Sequence, residues 1–224
     1  KILLEFIRKS NSSHTTLLYF STSEVYGNPP DDQIPTSELY NGNGSCVGPR
    51  ACYDQSKRLG ETICLAYQQQ YDLNINIVRP FNNYGPGLSI YDQRVMADFT
   101  NDILNDRDIT ILSDGKPTRT FCYLSDAIIG YFYCILRGKK GDIYNIGSDI
   151  PEISMYDLAC KFQKIAKREI GYTKSIKFLV SKDPNYLVDN PLRRCPDLSK
   201  SKQHLDFEIF TSLDTGIAKS ILWN

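Results

Sequence analysis

Tyr53 and Lys57 stand four residues apart in the run Tyr53-Asp54-Gln55-Ser56-Lys57. On a helix that spacing puts both side chains on one face. A phenol beside an ammonium is pushed toward the phenolate, because the positive charge favours the ionised form. Such a tyrosine can take a proton from a substrate hydroxyl near neutral pH. The spacing alone recurs on many helices as a plain surface pair, so its surroundings must decide. Upstream stands Ser21-Thr22-Ser23-Glu24-Val25-Tyr26-Gly27, and downstream Arg79-Pro80-Phe81-Asn82-Asn83-Tyr84-Gly85-Pro86. Both come directly after short apolar runs that read as strands. Three polar groups at successive strand ends would converge on one crevice, the usual ligand position in an open α/β sheet.

The order of these runs, then Arg119-Thr120-Phe121 with Asp126 and then Arg193-Arg194-Cys195-Pro196-Asp197, resembles the extended short-chain dehydrogenases/reductases. More narrowly it is similar to their NAD-dependent nucleotide-sugar epimerases, dehydratases and decarboxylases. The resemblance covers nearly the whole chain. It implies that Tyr53 is the catalytic acid/base and that Lys57 lowers its pKa and holds the nicotinamide ribose, with Pro80 also against the cofactor. Thr22 would hydrogen-bond the sugar hydroxyl being oxidised, and Glu24 would complete the catalytic set. NAD would take a hydride from sugar C4, giving a 4-keto intermediate, and later return it. Ser23, Asn82, Arg94, Arg119 and Arg194 would bind the substrate. Asn82 would lie near the diphosphate and the arginines in the pocket, where a guanidinium fork suits phosphate or carboxylate. Glu24 keeps an alternative as the cap of a backbone amide, and Arg94 as a surface residue. Arg79 is expected to tie the sheet to a neighbouring loop, and Arg193 to be the solvated partner of Arg194.

Once C4 is oxidised, the substituent at C5 decides the outcome. A carboxylate there becomes a β-keto acid, which loses carbon dioxide readily. Ser23-Glu24 after Thr22 is the version that resembles UDP-glucuronate decarboxylases, and Glu38–Arg50 aligns with the same group without gaps. Asn41, Gly44 and Ser45-Cys46 depart from it in the loop expected to line the sugar pocket. The expectation is therefore a UDP-glucuronate decarboxylase-like enzyme. A 4-epimerase or 4,6-dehydratase is the alternative, and a non-catalytic scaffold or binding subunit is the alternative of another class. The family's glycine-rich turn and the acidic residue that selects the adenosine ribose are absent from the 224 residues. Gly42-Asn43-Gly44 lacks the third glycine and joins no strand to a helix. The chain should accordingly bind NAD poorly, because the pyrophosphate has no helix N-terminus to rest on.

Hydrophobic spacing supplies the elements that must position these residues. Lys1–Asn11 reads as a helix with Ile2, Leu3, Phe6 and Ile7 on one face, and Ala51–Tyr71 as another with Leu59, Ile63 and Ala66 buried. Thr16–Ser21 and Asn74–Pro80 read as buried strands. Helices are expected over Arg94–Leu104, Ser125–Leu136 (capped by Ser125), Ser154–Ala166, Ser199–Gln203 and Ser212–Leu222, and extended segments over Asp108–Leu112, Asp142–Ile146 and Ser175–Val180. The alternation predicts an α/β fold. With the resemblance, this becomes a partial Rossmann fold, a doubly wound parallel sheet lacking its first strands, with a smaller α/β substrate-binding region after it. The division expected is 1–87 and 88–224, with the strand near 142–146 returning to the first sheet.

Composition narrows the classes. Hydrophobic residues form 41% and charged residues 23%, too apolar for a disordered chain. The 26 basic residues balance the 26 acidic ones, which disfavours a nucleic-acid partner. No apolar run is long enough to span a bilayer. Seven cysteines without a CxxC pair argue for free thiols and a cytoplasmic location. No metal site is expected, and His14 and His204 read as ordinary surface or packing residues. The expected partners are a UDP-linked sugar and a second copy of the chain.

Overall fold

The computed structural model describes residues 1–10, 15–179, 181, 188 and 190–223. The expectations for Asn11, His14 and Val180 lie outside the described residues. In chain order the elements are α1 (Ile2–Lys9), β1 (Leu17–Phe20), α2 (Ala51–Tyr71), β2 (Ile75–Pro80), β3 (Asn83–Tyr84), α3 (Val95–Leu104), β4 (Ile109–Ile111), β5 (Thr118–Arg119), β6 (Cys122–Tyr123), α4 (Leu124–Leu136), β7 (Ile143–Ile146), β8 (Ile153–Ser154), α5 (Met155–Ile170), β9 (Ile176–Phe178), β10 (Arg193–Arg194), α6 (Ser199–Leu205) and α7 (Leu213–Trp223).

The main sheet is parallel, in the order β1-β2-β7. Phe20 pairs with Val78 and Pro80 with Ile146, so all three carboxyl ends reach one edge. Successive side chains point to opposite faces. Ile75 and Ile77 pack with Leu4 and Cys64 under α1 and α2, while Val78, Tyr144 and Ile146 pack with Ala127, Leu205 and Phe207 under α4 and α6. Burial on both faces explains why these strands read as continuous apolar runs. The doubly covered parallel sheet is the α/β architecture expected, and β7 is the returning strand.

A second core lies among α3, α5, α7, β4 and β9, built on Phe99, Ile109, Leu158, Phe162 and Ile217. Phe121 and Tyr123 are buried in it. Helix α5 begins where Ser154 caps it, its hydroxyl accepting from the Asp157 amide at 3.0 Å. It runs on past Ala166 to Gly171, whose φ of 72° ends it.

Three local expectations are corrected. In α1 the buried residues are Leu4 and Ile7, and Ile2, Leu3 and Phe6 face outward. In α2 the buried residues are Asp54, Glu61 and Cys64, whereas Leu59 and Ala66 are exposed. The polar Glu61 can be buried because Arg79 meets it. Ser125 does not cap α4. That helix starts one residue earlier, and the Ser125 hydroxyl lies 3.1 Å from Asp126 Oδ1 inside its first turn. The two-residue strands β3, β5, β6, β8 and β10 had no sequence signal, since two residues show no periodicity.

Candidate active site

Strand β1 ends at Phe20 and the chain turns at once into a 3-10 turn over Ser23–Tyr26. Thr22 is its cap, with extended backbone and a side-chain oxygen that accepts from the Glu24 amide at 3.3 Å. Thr22 and Ser23 are both buried. Gly27 closes the turn with φ +63°, and a Cβ there would sit 2.2 Å from the Asn43 carbonyl oxygen. Glycine therefore lets the Tyr26–Asn28 segment lie against Asn43. The same Gly42–Gly44 segment is confirmed as a loop piece and not a strand-to-helix turn.

Helix α2 brings Tyr53 and Lys57 to this edge. Lys57 Nζ donates to the Phe20 carbonyl at 2.8 Å, so the helix is tied to the end of β1, two residues before Thr22. The same Nζ lies 5.8 Å from the centre of the Tyr53 ring and 5.7 Å from that of Tyr19. Tyr53 is half-exposed and Ser21 is buried with its hydroxyl unpartnered. Pro80 stands at the adjacent strand end, paired with Ile146.

One cluster of ion pairs joins residues far apart in sequence. Arg194 grips Glu24 with two parallel bonds, Nη1–Oε1 and Nη2–Oε2, each 2.6 Å. Arg50, at the start of α2, meets Glu24 Oε2 as well. Glu24 is thus the acceptor of a two-arginine clamp and does not take up the alternative of capping a backbone amide. Parallel pairing of β10 with β5 sets Arg194 beside Arg119. Arg119 donates to the carbonyls of Thr118, Leu192 and Pro191 at 2.7, 3.1 and 2.6 Å. Among the described residues no carboxylate forms an ion pair with it. Burial, and then the Arg194 charge, push its pKa below the usual arginine range, as burial does for Arg194. Burial likewise raises the Asp54 carboxyl against the pull of Arg50.

The other substrate candidates are distributed unevenly. The Asn82 side-chain amide is engaged with the Thr120 carbonyl at 2.9 Å, and its backbone is left-handed at φ 36°. Arg94 is exposed at the start of α3 and pairs with Asp92 instead of joining the arginine cluster. Arg193 is not a solvated partner of Arg194: it binds Glu152 twice, at 2.9 and 2.8 Å, and Asp31 at 3.0 Å. Arg79 makes the structural tie expected of it, to Glu61 at 2.8 and 2.6 Å, to the Tyr26 hydroxyl at 2.8 Å and to the Glu38 carbonyl at 3.2 Å.

Two residues that hold the site together were not singled out from sequence. Arg50 was visible only as part of the Gly48-Pro49-Arg50 lead-in. Asn145, fully buried on β7, accepts from Tyr26 Oη at 2.7 Å and donates to the carbonyls of Thr36 and Asp197 at 2.9 and 3.2 Å. It binds the loop after β1 and the segment after β10 to the sheet. The only hint was an asparagine inside an apolar strand.

Comparison with known proteins agrees with this geometry. Residues 1–147 match the NAD dependent epimerase/dehydratase family. UDP-glucuronic acid decarboxylase 3 of Arabidopsis thaliana is 38% identical over 201 residues, 90% of this chain and 55% of its own length. UDP-glucuronic acid decarboxylase 1 of Xenopus tropicalis is 36% identical over 205 residues, 92% of this chain and 46% of its own. The chain thus spans about half the length of the curated relatives it matches. Among solved structures, a Bacillus cereus UDP-glucuronic acid 4-epimerase in complex with UDP-glucuronic acid and NAD superposes with a TM-score of 0.77 at 25% identity, over 99% of this chain and 64% of that one. A UDP-glucose 4-epimerase from Thermotoga maritima shares the fold with a TM-score of 0.83 at 23% identity, over 99% of this chain and 66% of that one. With the strand-end turn, the Tyr53–Lys57 face and the matched residues together, the chain belongs to the NAD dependent epimerase/dehydratase family.

Proposed function

We propose that this chain carries the catalytic and sugar-binding part of an NAD-dependent enzyme that decarboxylates a UDP-glucuronate-like nucleotide sugar through a 4-keto intermediate. The observation that carries the reading is the Glu24–Arg194 clamp next to Arg119, a half-buried cation that no carboxylate among the described residues pairs with. A desolvated guanidinium favours an anionic ligand. A sugar acid joined to a diphosphate supplies two kinds of anion. The relatives named decarboxylases of UDP-glucuronic acid point the same way.

The nicotinamide end of NAD fits the residues present. The orphaned Ser21 hydroxyl, the half-exposed Tyr53, Lys57 and Pro80 meet at adjacent strand ends, and Tyr53, Lys57 and Pro80 would hold the cofactor. When bound, NAD supplies the acceptor for C4 oxidation and the donor for its reversal. The chain's own residues handle protons and charge. Thr22 Oγ1 already accepts from the Glu24 amide, which leaves its O–H to bond a sugar oxygen. Tyr53 takes the C4 hydroxyl proton, and Lys57 places positive charge beside the developing phenolate. Arg119 and Arg194 orient the C5 carboxylate and the diphosphate. Once C4 is a ketone, carbon dioxide leaves from the β-keto acid, and C5 is reprotonated.

The test is direct: incubate the chain with UDP-glucuronate and with NAD well above the weak Kd expected for it, and track the sugar nucleotide by mass spectrometry. Loss of carbon dioxide is expected. An isomer of unchanged mass would replace this reading with a 4-epimerase, and no conversion would favour the non-catalytic binding subunit.

A further inference from the structure

Asp54 comes directly after Tyr53, and an α-helix turns about 100° per residue. The two side chains therefore leave α2 on different faces. Beside the first turn of α2 lies a cavity of about 60 Å³, lined by Gly27, Asn28, Asn43, Ser45, Arg50 and Asp54 among others. Asp54 is 7% exposed, yet its Oδ1 has no hydrogen-bond partner, and the buried Nε of Arg50 has none either. Arg50 Nε stands 4.0 Å from Asp54 Oδ2, beyond hydrogen-bond range. Arg50 Nη2 is already committed to Glu24.

The two orphan atoms make opposite demands. A carboxylate oxygen needs a donor, and a guanidine N–H needs an acceptor. An anion would satisfy Arg50 and be repelled by Asp54, and an ammonium group would do the reverse. A hydroxyl meets both at once. The volume is that of about two waters at roughly 30 Å³ each, room for one C–OH edge of a sugar. Arg50 lines the cavity and also clamps Glu24, so a ligand group held there lies beside that clamp.

We propose that this cavity is a hydroxyl subsite of the sugar site, in which one sugar hydroxyl donates to Asp54 Oδ1 and accepts from Arg50 Nε. The inference rests on the nucleotide-sugar reading above. A bound water offers the same chemistry, and the experiment separates the two sources.

The full chain is titrated with UDP-glucuronate and with UDP, as wild type and as Asp54→Asn, which keeps the shape and removes the charge-assisted bond. The expected result is a Kd for UDP-glucuronate raised about tenfold or more in Asp54→Asn, with that for UDP unchanged within about twofold. A crystal structure of the wild-type chain with UDP-glucuronate is expected to place a sugar hydroxyl within about 3.2 Å of Asp54 Oδ1. This second measurement does not depend on how the variant folds. Unchanged Kd values for both ligands, or an isolated water in the cavity beside bound UDP-glucuronate, would overturn the subsite and leave the nucleotide-sugar reading standing. Wild-type chain that binds neither ligand, or binds UDP as tightly as UDP-glucuronate, would overturn that reading and the subsite with it.

Discussion

Tyr53 is half-exposed, while Glu61 and Arg79 are buried against each other. The two kinds of residue should respond to substitution in opposite ways. Tyr53→Phe removes only a hydroxyl at the surface of α2. Its melting temperature should stay within a degree or two of wild type, while conversion of UDP-glucuronate falls about 10²- to 10⁴-fold, the usual contribution of a general acid/base. Retained turnover would remove Tyr53 from the mechanism. Glu61→Leu leaves the Arg79 guanidinium buried with only a hydroxyl and a carbonyl for partners. Breaking a buried ion pair from one side costs about 3–5 kcal/mol. Urea denaturation should show that loss, and the double variant Glu61→Leu/Arg79→Met should recover most of it. An unstable double variant would mean that Arg79 matters through Tyr26 and Glu38 more than through Glu61.

At the scale of elements, the site depends on very short strands held by side chains. Glu152 precedes β8 and is bound by Arg193 of β10, so one ion pair fastens both edges of the sheet that carries Arg119 and Arg194. The Arg193 bonds hold the Glu152 carboxyl below its ordinary pKa. A carboxylate with a depressed folded pKa stabilises the fold fully above its unfolded value, near 4.5, and loses that contribution as pH falls through the folded value. Wild-type stability should therefore decline below about pH 4.5 with a component that Arg193→Met lacks. Melting curves taken between about pH 3 and 7 would reveal it as converging wild-type and variant curves at low pH. Parallel curves would show that the pair contributes nothing.

For the molecule as a whole, exposed helix faces suggest how two copies would meet. Ile2, Leu3 and Phe6 on α1 and Leu59 on α2 are exposed apolar residues on neighbouring helices. We expect two copies of the chain to cover them in each other. Sedimentation should find a dimer for wild type and a monomer for Phe6→Glu, and a monomeric wild type would discard the pairing. NAD should bind this chain alone only weakly, with a Kd above about 100 μM in calorimetry, because no strand-to-helix glycine turn among the described residues offers its amides to the pyrophosphate. Near-micromolar binding would show that another part of the chain holds the phosphates. No helix among the described residues is long and apolar enough to cross a membrane.

Helix α2 was legible to the residue, because a Gly-Pro turn precedes it, its 21 residues contain no proline, and Asp72 ends it in a left-handed conformation. The parallel strands were legible because burial on both faces demands continuous apolar runs. The chemical types at their ends were legible too, since Thr22, Tyr53 and Lys57 are local in sequence. What the sequence alone determined is thus the alternation of elements and the identity of the reactive groups. The tertiary structure decided which groups meet. Glu24 and Arg194 are 170 residues apart, and only the pairing of β10 with β5, and the Thr36–Pro196 bridge beside it, brings them within bonding distance. It also decided which apolar stripe of each helix faces inward, turning Leu59 out and Glu61 in, because a buried arginine on β2 made the polar face the better one to cover. Local periodicity reports that a side chain is apolar. Whether it is buried depends on what the rest of the chain places opposite it.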